Sequence, residues 1–442
     1  MATPATPGSQ MDRRDVLILG AGLAGLSAAL RLGGGYRLVE KAERPGGLTR
    51  GHLRDGFRFD QTGHWLHLRD PAMRALVEEL LPGGWVEVRR RAAVFSCGVF
   101  TRYPYQVHTH GLPPQVVAEN VLGFIEARHG ERGRALRERE PRNFAEHVLR
   151  HLGEGFARHF MFPYNRKVWT VAPEELSTEW MGRFVPRPTA EQVVRGALGL
   201  PTEDLGYNAS FLYPREGGIE ALAAALARRL PRPTECGLEP SSIDAGRRTA
   251  VLSSGETVPF RAVLSTIPLP VLVRLVADAP AGVREAALRL RAATVTYVDV
   301  AARGEEPAPW HWVYLPEPSL RPYRVGSPSA VVPSLAPPGC RSFQVEMAAP
   351  GPIPAAEAEP AALAALRALG FLGSSGEVLF AETHAIPHAY AVHDWDYGEA
   401  RRQVRAWLDG RGIHTAGRAG AWEYTSMEDA LLAGRDAADR LV

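Results

Sequence analysis

Residues 15–40 constrain the fold more tightly than any other part of the chain. The apolar run Asp15-Val16-Leu17-Ile18-Leu19 leads into Gly20-Ala21-Gly22-Leu23-Ala24-Gly25 and a helix-like Leu23–Leu32, and a second apolar strand, Tyr36-Arg37-Leu38-Val39, ends on Glu40. Gly20 permits a sharp strand-to-helix turn, Gly22 removes the side chain where backbone must approach a pyrophosphate, and Gly25 lets the helix pack closely on the sheet. The first helical turn offers free N–H groups to phosphate. Glu40 is placed to accept both hydroxyls of an unphosphorylated ribose. Strand, turn, helix, strand and acid together specify an adenine dinucleotide site, with NAD and FAD both open at this point.

The rest of the chain separates the two. Arg44-Pro45-Gly46-Gly47-Leu48-Thr49-Arg50 follows the ribose acid, and His414-Thr415-Ala416-Gly417-Arg418-Ala419-Gly420 precedes an amphipathic stretch, Met427–Val442. A glycine pair after the ribose acid and a distant carboxy-terminal helix resemble flavoproteins of the amine oxidase and hydroxylase type, so the cofactor is read as FAD. Gly46, Gly47, Leu48, Gly417, Arg418 and Met427 join Gly20, Gly22, Gly25 and Glu40 as cofactor-binding candidates. A helix starting near Ser426 would turn its positive end to the flavin and favour the reduced, anionic form.

Composition narrows the partners. With 51 basic and 49 acidic residues the net charge is +2, so neither nucleic acid nor an anionic membrane is implied. An anionic substrate would need a few placed arginines. Cys97, Cys236 and Cys340 are widely spaced and without metal-ligand spacing, which fits a reducing cytoplasm. No apolar run approaches the about 18 residues needed to span a bilayer, and Met1–Gln10 reads as a frayed tail rather than a signal core. Pro-rich segments at 184–188, 307–310 and 335–339 read as connections or hinges.

The dinucleotide unit, residues 13 to 70, needs further strands to bury its faces. Thr249–Ser253, Arg261–Ser265 and Gly412–Ala416 are the candidates. Pro114–His129, Arg142–Phe160 and Gly218–Leu230 have helical apolar spacing, whereas Ala293–Ala301, Trp310–Leu315 and Arg341–Glu346 read as strands of a second sheet. The expectation is an α/β chain: a discontinuous Rossmann-like FAD-binding domain (13–85, 206–285 and 405–442), a helical insert (110–205), and a second, antiparallel β-sheet substrate domain (86–109 and 286–404).

Several constellations lie outside the dinucleotide unit. His64 and His67 follow a strand end at Asp60, without Cys or acidic partners at metal spacing, so no metal is expected there and His64 is placed beside the flavin. Tyr164 and Trp169, five apart, can bracket a planar base, with a basic group beyond them for a phosphate. Arg324 and Tyr390 sit in loop-like sequence, and Arg418 and Tyr424 precede the flavin helix.

Taken together, these patches resemble the UDP-galactopyranose mutases within the amine oxidase and protoporphyrinogen oxidase superfamily. Gly63, His64 and His67 resemble the family's Gly-x-His-x-x-His element with one residue fewer, and Tyr164, Arg166, Lys167, Trp169, Pro173, Glu175, Leu176 and Arg183 fall into register with its Tyr-Thr-Arg-Lys-Gln-Trp, Pro-x-Glu-Leu and arginine. The resemblance implies that Tyr164 and Trp169 hold a uracil, that Arg183 and Arg324, the latter on a mobile loop, contact a diphosphate, and that Tyr390, Arg418 and Tyr424 complete the cradle. It also implies a flavin-dependent intramolecular transferase, an isomerase performing redox-neutral pyranose–furanose ring contraction of a UDP-hexose-like nucleotide sugar on reduced FAD. His64, Arg183, Arg324, Tyr390 and Tyr424 are its catalytic candidates. NAD(P)H or another reductant would activate the flavin, and a homodimer is an allowed assembly. Three departures stand out: Ser426 replaces an acid before Met427, Tyr323-Arg324 replaces Thr-Arg, and Phe-Val-Pro-Arg-Pro follows Arg183. The alternative reading is an FAD-dependent oxidase or desaturase with an apolar substrate cavity.

Overall fold

The computed structural model describes residues 15–181, 185, 187–201, 209–304, 310–373 and 378–442. The amino-terminal tail, Arg183 and, of the Pro-rich segments, Phe184, Pro186 and residues 307–309 lie outside the described residues.

Five short strands form a parallel sheet in the order Ile413–Thr415, Ala262–Ser265, Val16–Leu19, Tyr36–Glu40, Glu235–Cys236. Val16–Leu19 is buried throughout, as a parallel strand covered on both faces must be. Its alternation sorts the side chains: Val16 and Ile18 face a core shared with Leu26, Leu222 and Leu431, whereas Leu17 and Leu19 face one built on Leu272, Val404 and Leu408. The first of these faces holds the helices Leu23–Leu32, Glu220–Arg228 and Met427–Asp439, the last packed along the first. Ser27 Oγ donates to the carbonyl of Leu431 at 2.7 Å across that contact.

Of the strands expected to extend this sheet, Ala262–Ser265 and Ile413–Thr415 do so. Thr249–Leu252 does not: the turn at Gly255 (φ +84°) folds it against Thr257–Pro259, and with Pro240–Asp244 it makes a separate three-stranded antiparallel sheet.

A larger sheet of seven strands runs Val378–Ala391, Ala292–Arg303, Cys340–Ala349, Arg324–Gly326, Trp312–Tyr314, Ala92–Ser96, Val99–Arg102. Its pairings are antiparallel except Trp312–Tyr314 with Ala92–Ser96, so the sheet is mixed. Val298, Val300, Phe343 and Val345 point to the helix Ala355–Ala368. By the period-two rule the intervening Tyr297, Asp299, Gln344 and Glu346 take the opposite face. Helices Pro114–His129, Phe144–His151, Gly153–Phe156 and Phe162–Trp169 form the helical part. No helix among the described residues is long and apolar enough to cross a membrane.

Candidate active site

A cavity of about 1060 Å³ lies between the two large sheets, and Gly20, Gly22, Glu40, Gly46, Gly47 and Leu48 line it from the parallel-sheet side. Gly20 adopts φ +94°, and a Cβ on Gly25 would lie 2.0 Å from the Gly20 carbonyl oxygen, so helix and turn touch through backbone alone. The two glycine motifs then meet: Gly46 N donates to Ala21 O at 2.8 Å, and a Cβ on Gly47 would stand 3.0 Å from Gly22 Cα. The helix Leu23–Leu32 begins at Gly22 with no side-chain cap, which leaves its first-turn N–H groups for a ligand. Glu40 Oε2 accepts from Ala21 N at 2.8 Å and Oε1 from Ala42 N at 3.0 Å. Those amides fix the carboxylate at the cavity wall while each oxygen keeps a further acceptor site. This floor, backbone with one anchored acid, fits the phosphates and ribose of a flavin dinucleotide.

The carboxy-terminal helix also reaches the cavity, through Ser426 and Met427, beside Gly417 of the short helix Gly417–Gly420. Its end is capped rather than bare. Ser426 and Asp429 form a reciprocal capping box, and Arg69 pairs with Glu428 (2.8 Å) and Asp429 (2.8 Å) in the first turn.

From the opposite side come His64, Tyr164, Trp169, Arg324, Tyr390, Arg418 and Tyr424. Arg324 and Tyr390 are on strands, not loops: Arg324 pairs in register with Glu346, and Tyr390 with Ala293. Arg324 donates to both oxygens of Glu346 at 2.9 and 2.7 Å, and the Tyr323 hydroxyl donates to the same carboxylate at 2.6 Å. Its charge is thereby matched inside the wall. Although burial acts to lower its pKa, Glu346 and the neighbouring tyrosines push the Arg324 guanidinium well above its ordinary value.

Arg418 is held differently. Its Nε and one terminal nitrogen donate to Ala389 O (3.2 and 2.9 Å), the other terminal nitrogen donates to Thr425 O (2.8 Å), and the guanidinium carbon lies 5.1 Å from the Tyr390 ring and 5.0 Å from that of Tyr424. Carbonyls and aromatic faces orient this cation without cancelling it. His64, in the same field, is pushed down to about 4, chiefly by burial and then by Arg418, and its Nδ1 has no hydrogen-bond partner. It is a neutral imidazole at pH 7.

Tyr164 and Trp169 both belong to the helix Phe162–Trp169. Tyr164 stacks on Phe160 at 5.3 Å and keeps open surface, whereas Trp169 is 2% exposed, with Trp180, Tyr390 and Tyr424 around its ring. The indole has little face left for a base, so the expected bracket reduces to Tyr164 in this conformation. Between them Lys167 donates to the carbonyls of Leu315 (2.8 Å), Glu317 (2.6 Å), Pro322 (3.1 Å) and Leu320, pinning the segment ahead of Arg324. Burial lowers its pKa to about 8.

Glu346 and Lys167 thus set the positions of the arginine wall. Glu346 had a signal in the sequence, a carboxylate between Val345 and Met347 in an apolar strand. Lys167 entered the sequence reading only as part of a motif, and its four carbonyls come from residues about 150 positions away.

Known proteins share this architecture. The model of the flavin-containing amine oxidoreductases matches residues 23–442. A crystal structure of reduced UDP-galactopyranose mutase superposes with TM-score 0.89 at 26% identity, covering 97% of this chain and 95% of that one. An oxidoreductase from Methanosarcina mazei (TM-score 0.65, 16% identity, 96% and 100% covered) and a putrescine oxidase bound to putrescine (0.63, 15%, 97% and 98%) share the fold. The chain belongs to the flavin-containing amine oxidoreductase family, as a member resembling the UDP-galactopyranose mutases.

Proposed function

We propose that the protein is an FAD-dependent nucleotide-sugar mutase that converts a UDP-hexose-like pyranose to its furanose form. The observation carrying this reading is that Arg418, Arg324, Tyr390 and Tyr424, from three separate chain segments, line one cavity with the glycine floor. Bound in its reduced state, the flavin supplies the covalent chemistry at the sugar. The chain's own residues hold the substrate. Arg418, oriented by two carbonyls and two rings, offers the least compensated positive charge to a diphosphate, and charge-assisted bonds of this kind contribute about 1.5–3 kcal/mol each. Arg324 contributes geometry more than net charge, because Glu346 travels with it. Tyr164 supplies an aromatic face for the base. A neutral His64 hydrogen-bonds to flavin or sugar and does not act as a cationic acid at neutral pH. Arg183, by resemblance, belongs to the same cradle. The three cysteines are free thiols, which suits the cytoplasm, where NAD(P)H or another reductant would maintain the flavin.

Anaerobic incubation of dithionite-reduced protein with a panel of UDP- and GDP-hexoses, followed by chromatography, tests the assignment. A furanose product from reduced but not oxidised protein is expected. The oxidase alternative draws on the Arg324–Glu346 pair, which removes one net charge from the wall; steady oxygen consumption with an amine or tetrapyrrole, and no sugar conversion, would establish it instead.

A further inference from the structure

We propose that His52, His384 and Asp299 form a binding site for a divalent transition-metal ion of the zinc type. The three come from different strands: His52 from Gly51–Arg54, Asp299 from Ala292–Arg303, second from the edge of the large sheet, and His384 from the adjacent edge strand Val378–Ala391. Register brings two of them together, since Tyr297 pairs with His384 and Asp299 with Glu382. The hairpin Gly51–Asp60 lies over this sheet through Phe57, Phe59, Ala301 and Phe380, which delivers His52 to a ring-centroid distance of 4.8 Å from His384.

Asp299 Oδ2 stands 3.3 Å from His52 Nε2 and 3.4 Å from His384 Nε2. Two ligand atoms bound about 2.0–2.1 Å from a tetrahedral zinc are about 3.3–3.4 Å apart. None of the three atoms has a hydrogen-bond partner, and all are buried at the atom level, with the Asp299 side chain 0% exposed. The nitrogens therefore approach the carboxylate at these separations without the alignment of a hydrogen bond. A divalent ion would engage all three unpartnered atoms at once and balance the buried carboxylate.

The surroundings suit such an ion. Gln344 Nε2 donates to the other Asp299 oxygen at 2.8 Å and to Asp60 O at 2.7 Å, fixing the carboxylate as an outer-shell partner does. Glu382 Oε1 lies 3.9 Å from His384 Nε2, within side-chain reach of a fourth position, while its Oε2 accepts from Arg54 at 2.6 Å. His384 also lines the large cavity, so water has access. The ion would clamp the hairpin whose far end, Asp60, leads to the His64 loop. It would be a structural site, six residues along the strand from Tyr390.

Chelator-treated flavoprotein titrated with Zn²⁺ should bind one ion per chain and gain a few degrees in Tm at about a hundredfold excess over Kd. Co²⁺ should give the visible bands of a four-coordinate ion. His52→Gln, at the half-open end, should weaken binding by about tenfold or more with flavin content unchanged, and Asp299→Asn and Gln344→Ala should also weaken it. Absence of saturable binding by either ion, or equal binding by wild type and His52→Gln, overturns the site.

Discussion

The two walls of the cavity are built in opposite ways. The floor is backbone: Gly20, Gly22, Gly46 and Gly47 come from one short stretch of chain and leave amides and space. The facing wall is side chain: Tyr164, Arg324, Glu346, Tyr390, Arg418 and Tyr424 are separated by up to hundreds of residues and meet through strand register and ring packing. A backbone site tolerates almost no added atom but is indifferent to side-chain chemistry. A side-chain site tolerates modest rearrangement, and its chemistry depends on which charges are already matched.

If that contrast is right, the largest effect belongs to the floor. Gly25→Val would drive a branched side chain into the Gly20 carbonyl, where even a methyl group would sit 2.0 Å away; overpacking against backbone has no low-cost relaxation. We expect no soluble flavoprotein, read as the flavin-to-protein absorbance ratio and the yield. A yellow, stable Gly25→Val protein would break the comparison at its root. Next comes Glu346→Ala, which leaves Arg324 unpaired and the Tyr323 hydroxyl without its acceptor. Removing one member of a buried pair costs about 3–5 kcal/mol, so Tm should fall markedly while any protein that folds keeps its flavin.

The same contrast explains what was legible in the sequence. Glycine spacing encodes the floor directly, because a position that admits no Cβ can hold only glycine, and Gly434 shows the rule again where a Cβ would lie 2.1 Å from Ala24 O. The helix Pro114–His129 is readable from periodicity because it buries one face, through Asn120, Phe124 and Ala127, whereas Ala292–Arg303 is buried on both faces and is legible from its β-branched and aromatic residues. Thr249–Leu252 shows the limit, since its apolar alternation is equally compatible with either sheet and only the turn at Gly255 decides. Arg324 and Tyr390 were read as loop residues because nearby prolines at 322 and 387 masked short or irregular strands. The Arg324–Glu346 pair depends on register between strands more than twenty residues apart, and the His52–Asp299–His384 cluster on three strands at once. Spacing rules that look for ligands close in sequence pass over both.

Within the facing wall, the two arginines sharpen the comparison further. Arg418→Ala removes a cation whose hydrogen bonds go to Ala389 O and Thr425 O, whereas Arg324→Ala removes half of a neutral pair. Isothermal titration with UDP-hexose should therefore show the larger loss for Arg418→Ala, about 10- to 100-fold in Kd, and a smaller one for Arg324→Ala. The reverse order would mean that Glu346 releases Arg324 on binding, and that the resting geometry misstates the charge available to substrate.

Acid should act on the side-chain half with a smaller and graded effect. Burial, the largest cause in each case, holds His64 and His67 down to about 4 and His393 to about 3. Between the unfolded value near 6.5 and those depressed values the unfolded chain binds protons that the native fold refuses, so stability is complete above about pH 6.5 and declines as pH falls. His393 isolates one contribution, since it is buried, both ring nitrogens are without hydrogen-bond partners, and the ring stacks on Tyr397 at 3.9 Å. His393→Phe keeps a planar ring there and removes the titration. Tm measured from pH 7.5 to 4.5 should fall less steeply in the variant than in the wild type, with the two curves parallel above pH 6.5. Equal slopes throughout would mean that the imidazole reaches solvent on protonation, and that this wall relaxes more readily than its packing implies.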